Sequence, residues 1–133
     1  MTRLLLIEDH PIFAEALSQA LRERGNITAV KLVNSAEEAI ALIPELNVDL
    51  ILVDVSLPKM SGIEFVSFMH EKRPEIPCLV ISGHVSRRYA KRSVEAGARG
   101  YAVKDSVNGI LEGIQHILSG EVYISKDITD DQL

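Results

Sequence analysis

The sequence predicts an α/β fold, an open doubly wound sheet of five parallel strands with five helices on its two faces. Short continuous apolar runs, which are typical of strands buried on both faces, alternate along the chain with segments whose apolar residues recur every three or four positions. The alternation repeats five times. Strands that alternate with helices favour a parallel sheet covered by its crossover helices.

The five predicted strands are short apolar segments at regular intervals. They cover residues 4–7, 29–33, 50–53, 78–81 and 101–103. The third segment, LILV, is apolar at every position, which is the pattern of a central strand in a parallel sheet.

The five predicted helices are marked by apolar stripes and by residues that start or stop helices. The first lies between Pro11 and Gly25, a capping box at Ser35 opens the second, and the third ends before Pro74. The fourth, at about residues 86–96, has few apolar side chains beyond alanine, so we expect it to be the least securely anchored. The fifth carries a regular stripe and ends at Gly120.

Composition argues against several classes of protein. The 133 residues fit one domain, predicted over residues 1–122, with a polar tail or the start of a linker at 123–133. A net charge of −5 does not suit direct binding to a nucleic-acid backbone. No apolar run approaches the roughly 20 residues of a membrane helix. The single cysteine, Cys78, leaves no intrachain disulfide. We therefore expect a cytoplasmic protein with no membrane contact.

Polar side chains follow the predicted strands at their carboxyl ends. Glu8 and Asp9 follow the first strand, and Asp54 follows the third. Ser82 follows the fourth strand and Lys104 the fifth. Because ligands of open α/β sheets bind beyond the carboxyl ends of the strands, we expect these side chains to converge at one rim.

Three carboxylates in one crevice repel one another unless a cation neutralises them. Their hard oxygens suit Mg²⁺, for which Mn²⁺ can substitute, whereas the neighbouring imidazole of His10 does not suit such a site. With the metal bound, one carboxylate can attack phosphorus, while Lys104 and the Ser82 hydroxyl stabilise the phosphoryl oxygens. The residue types therefore predict metal-assisted phosphoryl transfer.

At these positions the sequence resembles the receiver domains of two-component response regulators, over residues 3–122. Residues 8–11, Glu-Asp-His-Pro, are similar to the acidic pair of the nitrate-regulator-like (NarL/FixJ) class, and residues 54–62 to the family's phosphoacceptor loop. Residues 96–101, followed by Lys104 and Asp105, resemble the same class. Each motif is short, but all of them occur in order and each lies at a strand end.

The resemblance implies a flavodoxin-like sheet of strand order 2-1-3-4-5 and a site built around Asp54 as the phosphoacceptor. Glu8, Asp9 and Asp54 are then expected to surround Mg²⁺, together with the backbone carbonyl of Ser56. The side chains expected to bind the phosphoryl group are those of Ser82 and Lys104.

The resemblance also implies a switch. Ser82 moves toward the phosphoryl group, and Tyr101 swings inward into the space that is vacated, so that the surfaces of the fourth helix, fifth strand and fifth helix change. Ser56 and His84 occupy positions that tune dephosphorylation in the family. The implied partners are a sensor histidine kinase and, on phosphorylation, a second copy of the domain. DNA would be reached only through an output domain outside these residues.

Two positions depart from the family pattern. Glu8 stands where aspartate is commoner, and its extra methylene favours a contact to the metal through a water molecule. Asp105 follows Lys104 where many relatives have proline in a cis bond. A cis bond before a residue other than proline costs roughly 2.5–4 kcal/mol, so a trans bond is expected here.

Other functions fit the sequence less well. A phosphatase of the haloacid dehalogenase type needs Asp-x-Asp, and Ser56 occupies the place of the second aspartate. A flavodoxin-like cofactor binder would need a glycine-rich loop after the first strand, where Glu8 and Asp9 stand instead. An interaction module that is never phosphorylated would not need Asp54 and Lys104. A natural single-domain receiver that acts by protein–protein interaction remains the alternative.

Overall fold

The computed structural model describes residues 2–126 and 128. Six strands lie in this part of the chain: β1 (Thr2–Ile7), β2 (Ile27–Val33), β3 (Leu50–Asp54), β4 (Cys78–Ser82), β5 (Gly100–Val103) and β6 (Tyr123–Ile124). The α-helices are α1 (Pro11–Arg24), α2 (Ala36–Leu42), α3 (Gly62–Lys72), α4 (Arg87–Ala96) and α5 (Val107–Leu118), and a 3₁₀ turn (Ile43–Glu45) follows α2. All five predicted strands and all five predicted helices are therefore present.

The strands form one parallel sheet of order β2-β1-β3-β4-β5-β6. This order confirms the α/β class and the arrangement of the first five strands. The prediction of five strands was wrong, because β6 pairs with β5 within the segment that was assigned to a tail. Residues 127 and 129–133 of that segment lie outside the described residues.

The sixth strand is too short to leave a periodic pattern in the sequence, and its contacts come from elsewhere in the fold. The Tyr123 amide donates to the Arg99 carbonyl, and the Ser125 amide donates to the Tyr101 carbonyl. The Tyr123 ring packs on α5 at Gly113, where a Cβ would lie 2.9 Å from the ring. β6 therefore forms through tertiary contacts, and the local sequence alone does not specify it.

Two apolar layers cover the sheet. Side chains of α2, α3 and α4 pack on one face, and side chains of α1 and α5 pack on the other. Every residue of β3 and β4 is buried, which explains their continuous apolar sequences. Helix α4 buries only Ala90 and Ser93, in agreement with its sparse apolar stripe.

The strand register brings the predicted site residues to one edge of the sheet. Ile7 of β1 pairs with Val53 of β3, so Glu8 follows β1 at the level of Asp54. Asp54 in turn pairs with Ile81, one residue before Ser82. The bond between Lys104 and Asp105 is trans, since the described residues contain no cis peptide bond.

Within the described residues, no helix has the length and apolar character needed to cross a membrane. Cys78 is buried in β4, as a small apolar side chain would be. Burial raises the pKa of its thiol to about 12, so the thiol stays protonated at neutral pH.

Candidate metal centre

Three carboxylates meet beyond the ends of β1 and β3. Glu8, Asp9 and Asp54, together with His10, each offer a ligand atom, and these atoms all lie within 4.8 Å of one another. The Glu8 side chain is fully buried and that of Asp54 is 2% exposed, whereas Asp9 is partly exposed. The predicted convergence of the acidic residues is therefore present in the fold.

Lys104, which follows β5, supplies a cation to this cluster. Its Nζ atom lies 2.7 Å from Glu8 Oε1 and 3.0 Å from Asp54 Oδ2. The same atom lies 4.7 Å from the centre of the Phe13 ring on α1. The sequence analysis did not single out Phe13, although its place in the first turn of α1 puts it at the same rim.

The protonation equilibria of the cluster reflect burial and shared charge. Burial alone would raise the pKa of Glu8, but its contacts with Lys104 and His10 outweigh that effect and hold the pKa below its usual value. Burial, with the nearby charge of Glu8, raises the pKa of Asp54 despite Lys104. Burial would lower the pKa of Lys104, but the two carboxylates raise it, so the ammonium stays charged at neutral pH.

Each carboxylate leaves one buried oxygen without a hydrogen-bond partner among the described residues. These oxygens are Glu8 Oε1, Asp9 Oδ1 and Asp54 Oδ2. Lys104 is at ion-pair distance from two of them but makes no well-aligned hydrogen bond to either. Three buried anionic oxygens that face a common space are the donor set that Mg²⁺ prefers, so the residues fit a hard divalent cation.

The remaining oxygens of the two buried carboxylates are held by the protein. Glu8 Oε2 accepts hydrogen bonds from the His10 backbone amide at 3.2 Å and from His10 Nδ1 at 2.9 Å. Asp54 Oδ1 accepts from the Ser56 amide at 3.2 Å. The position of Ser56 after β3 therefore orients Asp54, whereas a metal contact by its carbonyl stays a prediction.

Ser82 and Tyr101 are joined through the loop between β4 and α4. The Ser82 hydroxyl accepts from the His84 amide at 3.0 Å, and the Tyr101 hydroxyl donates to the His84 carbonyl at 2.7 Å. The Tyr101 side chain is fully buried, and burial raises its pKa. The exposed His84 ring packs against Tyr89, with 5.3 Å between ring centres. Sequence reasoning named Ser82, His84 and Tyr101 but did not foresee that the His84 backbone links the other two.

Comparison with known proteins identifies the family in which this arrangement of residues occurs. The sequence model of the response regulator receiver domain matches residues 4–115 of the chain. The chain is 30% identical over 127 residues to the nitrate/nitrite response regulator protein NarL of Escherichia coli, across 95% of its own length and 59% of NarL. It is 27% identical over 128 residues to the transcriptional regulatory protein DegU of Brevibacillus brevis, across 96% of its length and 54% of DegU. The chain thus spans little more than half the length of these relatives.

Solved structures agree with the sequence comparison. A two-component response regulator of the LuxR family from Aurantimonas superposes with a TM-score of 0.91 at 30% identity, covering 96% of this chain and 92% of the other. The receiver domain of NarL from Mycobacterium tuberculosis superposes with a TM-score of 0.83 at 26% identity, covering 90% and 98%. With the family match over most of its length and the same fold in these relatives, the chain belongs to the response regulator receiver domain family.

Proposed function

We propose that this receiver domain is switched by phosphorylation of Asp54, with a sensor histidine kinase as the phosphoryl donor and Mg²⁺ as the required ion. The observation that carries the proposal is the buried Asp54 carboxylate, which lies beside Lys104 and two further carboxylates at the sheet edge. A buried carboxylate beside a cation, with one oxygen that accepts no hydrogen bond from the described residues, is poised to react with an electrophilic phosphorus.

The chemistry follows from what each side chain can do. An ion held by Glu8, Asp9 and Asp54, with Mn²⁺ as a possible substitute for Mg²⁺, would neutralise charge on the phosphoryl oxygens. Asp54, oriented by the Ser56 amide, forms the new bond to phosphorus. The bond from phosphorus to the histidine nitrogen of the kinase breaks, and that nitrogen keeps the electron pair and takes up a proton from water. Lys104 stabilises the charge on the transferred group.

The domain in this proposal is a signalling switch that catalyses its own phosphorylation and dephosphorylation. Ser56 and His84 would tune the lifetime of the phosphorylated state, since both flank the site. Transcriptional control through DNA would require an output domain outside these residues, and a natural single-domain receiver is the alternative. A cytoplasmic location belongs to the same proposal and rests on the single buried cysteine.

The first test is chemical modification by a small phosphodonor. Acetyl phosphate with Mg²⁺ should add one phosphoryl group to the wild-type protein, as seen in the intact mass, and chelation of the ion should prevent the addition. Asp54→Asn should take up none, because the amide is not a nucleophile. The control is Asp105→Asn, which removes an exposed carboxylate at the same edge and should leave the modification unchanged. Undiminished modification of Asp54→Asn would rule out the proposal.

The switch is expected to change self-association. The phosphoryl group would draw the Ser82 hydroxyl from the His84 amide, and the loop shared with Tyr101 would carry that change to the surface of α4. A coupling of this kind changes an equilibrium about tenfold, so a beryllofluoride mimic should shift the dimer dissociation constant by about that factor. Sedimentation velocity measures the shift, and Ser82→Ala should reduce it. The same distribution with and without the mimic would leave dimerisation outside the switch.

A further inference from the structure

His10 occupies the N-cap position of α1 but does not cap the helix. An N-cap side chain usually accepts a hydrogen bond from an amide of the first turn, and the His10 side chain accepts none. Its Nδ1 atom turns back toward the acidic cluster instead, 2.9 Å from Glu8 Oε2 and 3.3 Å from Asp9 Oδ1. The His10 ring therefore contacts the acidic cluster and does not cap the start of α1.

The contact with His10 gives the two oxygens of the Glu8 carboxylate different roles. Oε2 accepts both hydrogen bonds from His10, while Oε1 faces the other carboxylates and Lys104. Asp54 shows the same division, since Oδ1 accepts from the Ser56 amide and Oδ2 faces the cluster. In both residues one oxygen is fixed by the protein so that the other points into the site.

Glutamate needs such an anchor more than aspartate does. Its side chain has one more rotatable bond, and fixing that bond costs conformational entropy. The contact through His10 Nδ1 restricts that freedom, and the ring itself is 66% exposed. Outer contacts of this kind orient the ligands of metal sites and commonly change metal affinity by roughly 10–100-fold.

We propose that His10 is a positioning residue for the metal site, which holds the Glu8 carboxylate so that Oε1 faces the cation. His10 acts through Glu8 and does not bind the ion. The inference rests on the proposed function, because that function supplies the cation. It also accounts for the glutamate in this chain, since His10 fixes the longer side chain in place.

The first measurement needs no metal. Free histidine carries its proton mainly on Nε2 when neutral, whereas a carboxylate at Nδ1 requires the proton on Nδ1. Nitrogen-15 spectra of the metal-free protein at about pH 9, above the ordinary range of histidine, should show His10 as the Nδ1–H tautomer. The tautomer should be lost in Glu8→Ala. An Nε2–H tautomer in the wild-type protein would overturn the proposal.

The second measurement is the affinity for Mg²⁺, determined by calorimetry at the same pH. His10→Ala should weaken binding about tenfold. Ile12→Ala is the matched control, because Ile12 lies in the first turn of α1 with 86% of its surface exposed, and it should bind as the wild-type protein does. Thermal unfolding of each variant without metal shows whether it is folded.

A double-mutant cycle separates positioning from a general effect on the fold. Aspartate is one methylene shorter, so in Glu8→Asp the carboxylate no longer reaches the His10 ring in its present place. His10→Ala should then change the Mg²⁺ affinity less than about twofold in that background. An equal loss in both backgrounds, or no loss in the wild-type background, would overturn the role of His10 alone. A wild-type protein that binds no Mg²⁺ would overturn the proposed function together with it.

Discussion

Replacing Lys104 with methionine is expected to lower the free energy of unfolding by about 3 kcal/mol in metal-free buffer at neutral pH. The substitution leaves the carboxylates of Glu8 and Asp54 buried together without the ammonium that lies 2.7 and 3.0 Å from them. Removing one partner of a buried ion pair costs about 3–5 kcal/mol, and the lower end applies because Asp9 keeps part of the cluster open to water. Urea denaturation of the wild-type protein and the variant measures this difference in the free energy of unfolding.

The loss of stability in Lys104→Met, measured against the wild-type protein, should become smaller under two conditions. A divalent cation can take over the neutralising charge, and it should bind the variant more tightly than the wild-type protein because no ammonium group repels it. At saturation, a tenfold tighter affinity recovers about 1.4 kcal/mol of the difference. Acidification should also reduce this loss of stability. Without Lys104 the pKa values of both carboxylates rise in the folded state, and a group whose folded pKa is raised favours the folded state as pH falls through that pKa. The variant should therefore approach wild-type stability at mildly acidic pH.

The control for Lys104→Met is Lys72→Met, which removes an exposed lysine from α3 and should change stability by less than about 0.5 kcal/mol. If both substitutions have the same small effect, Lys104 does not neutralise the buried carboxylates. If the deficit of Lys104→Met persists at saturating Mg²⁺, the cation does not enter between them.

Replacing Gly62 with alanine is expected to destabilise the fold by about 3 kcal/mol and to weaken Mg²⁺ binding. A Cβ at this position would overlap the Asp54 carbonyl oxygen and lie 2.8 Å from its carbon and 2.9 Å from the Cα of Val55. These atoms belong to the backbone, so the start of α3 or the end of β3 has to move. Ser61 fixes that start with a capping box, which leaves the helix little freedom to yield.

Gly83→Ala is the control, because a Cβ there would meet nothing within 4 Å and the backbone needs no positive φ. Alanine at such a site commonly stabilises by about 0.4–1 kcal/mol. Chemical denaturation and Mg²⁺ titration of both variants make the comparison. Equal stability of the two variants would show that α3 does not press against the strand that carries Asp54.

Continuous apolar runs and helix-boundary residues were enough to predict five strands and five helices, because strands buried on both faces are apolar at every position and amphipathic helices repeat their apolar residues every three or four positions. The same reasoning brought Glu8, Asp9, Asp54 and Lys104 to one rim, since parallel strands place their carboxyl ends together. The family resemblance then supplied the strand order, which the pairing of the first five strands confirms.

The parts that sequence reasoning missed depend on contacts between distant segments. β6 has two residues, and it forms because α5 offers a gap at Gly113 for the Tyr123 ring. The anchoring of Glu8 by His10 depends on which way a ring turns at a helix start, and periodicity does not specify that direction. His10 was weighed only as a metal ligand, and its contact to a carboxylate is a different role.

The most direct test of the central claim is the chemical identity of residue 54 after phosphorylation. Borohydride reduces an acyl phosphate to an alcohol, so treatment of the acetyl phosphate-modified protein should convert Asp54 to homoserine. Peptide mass spectrometry locates the change. We expect homoserine at position 54 alone, and only when Mg²⁺ was present. A reduced side chain at Glu8 or Asp9 in place of position 54, or none at all in fully modified protein, would contradict Asp54 as the phosphoryl acceptor.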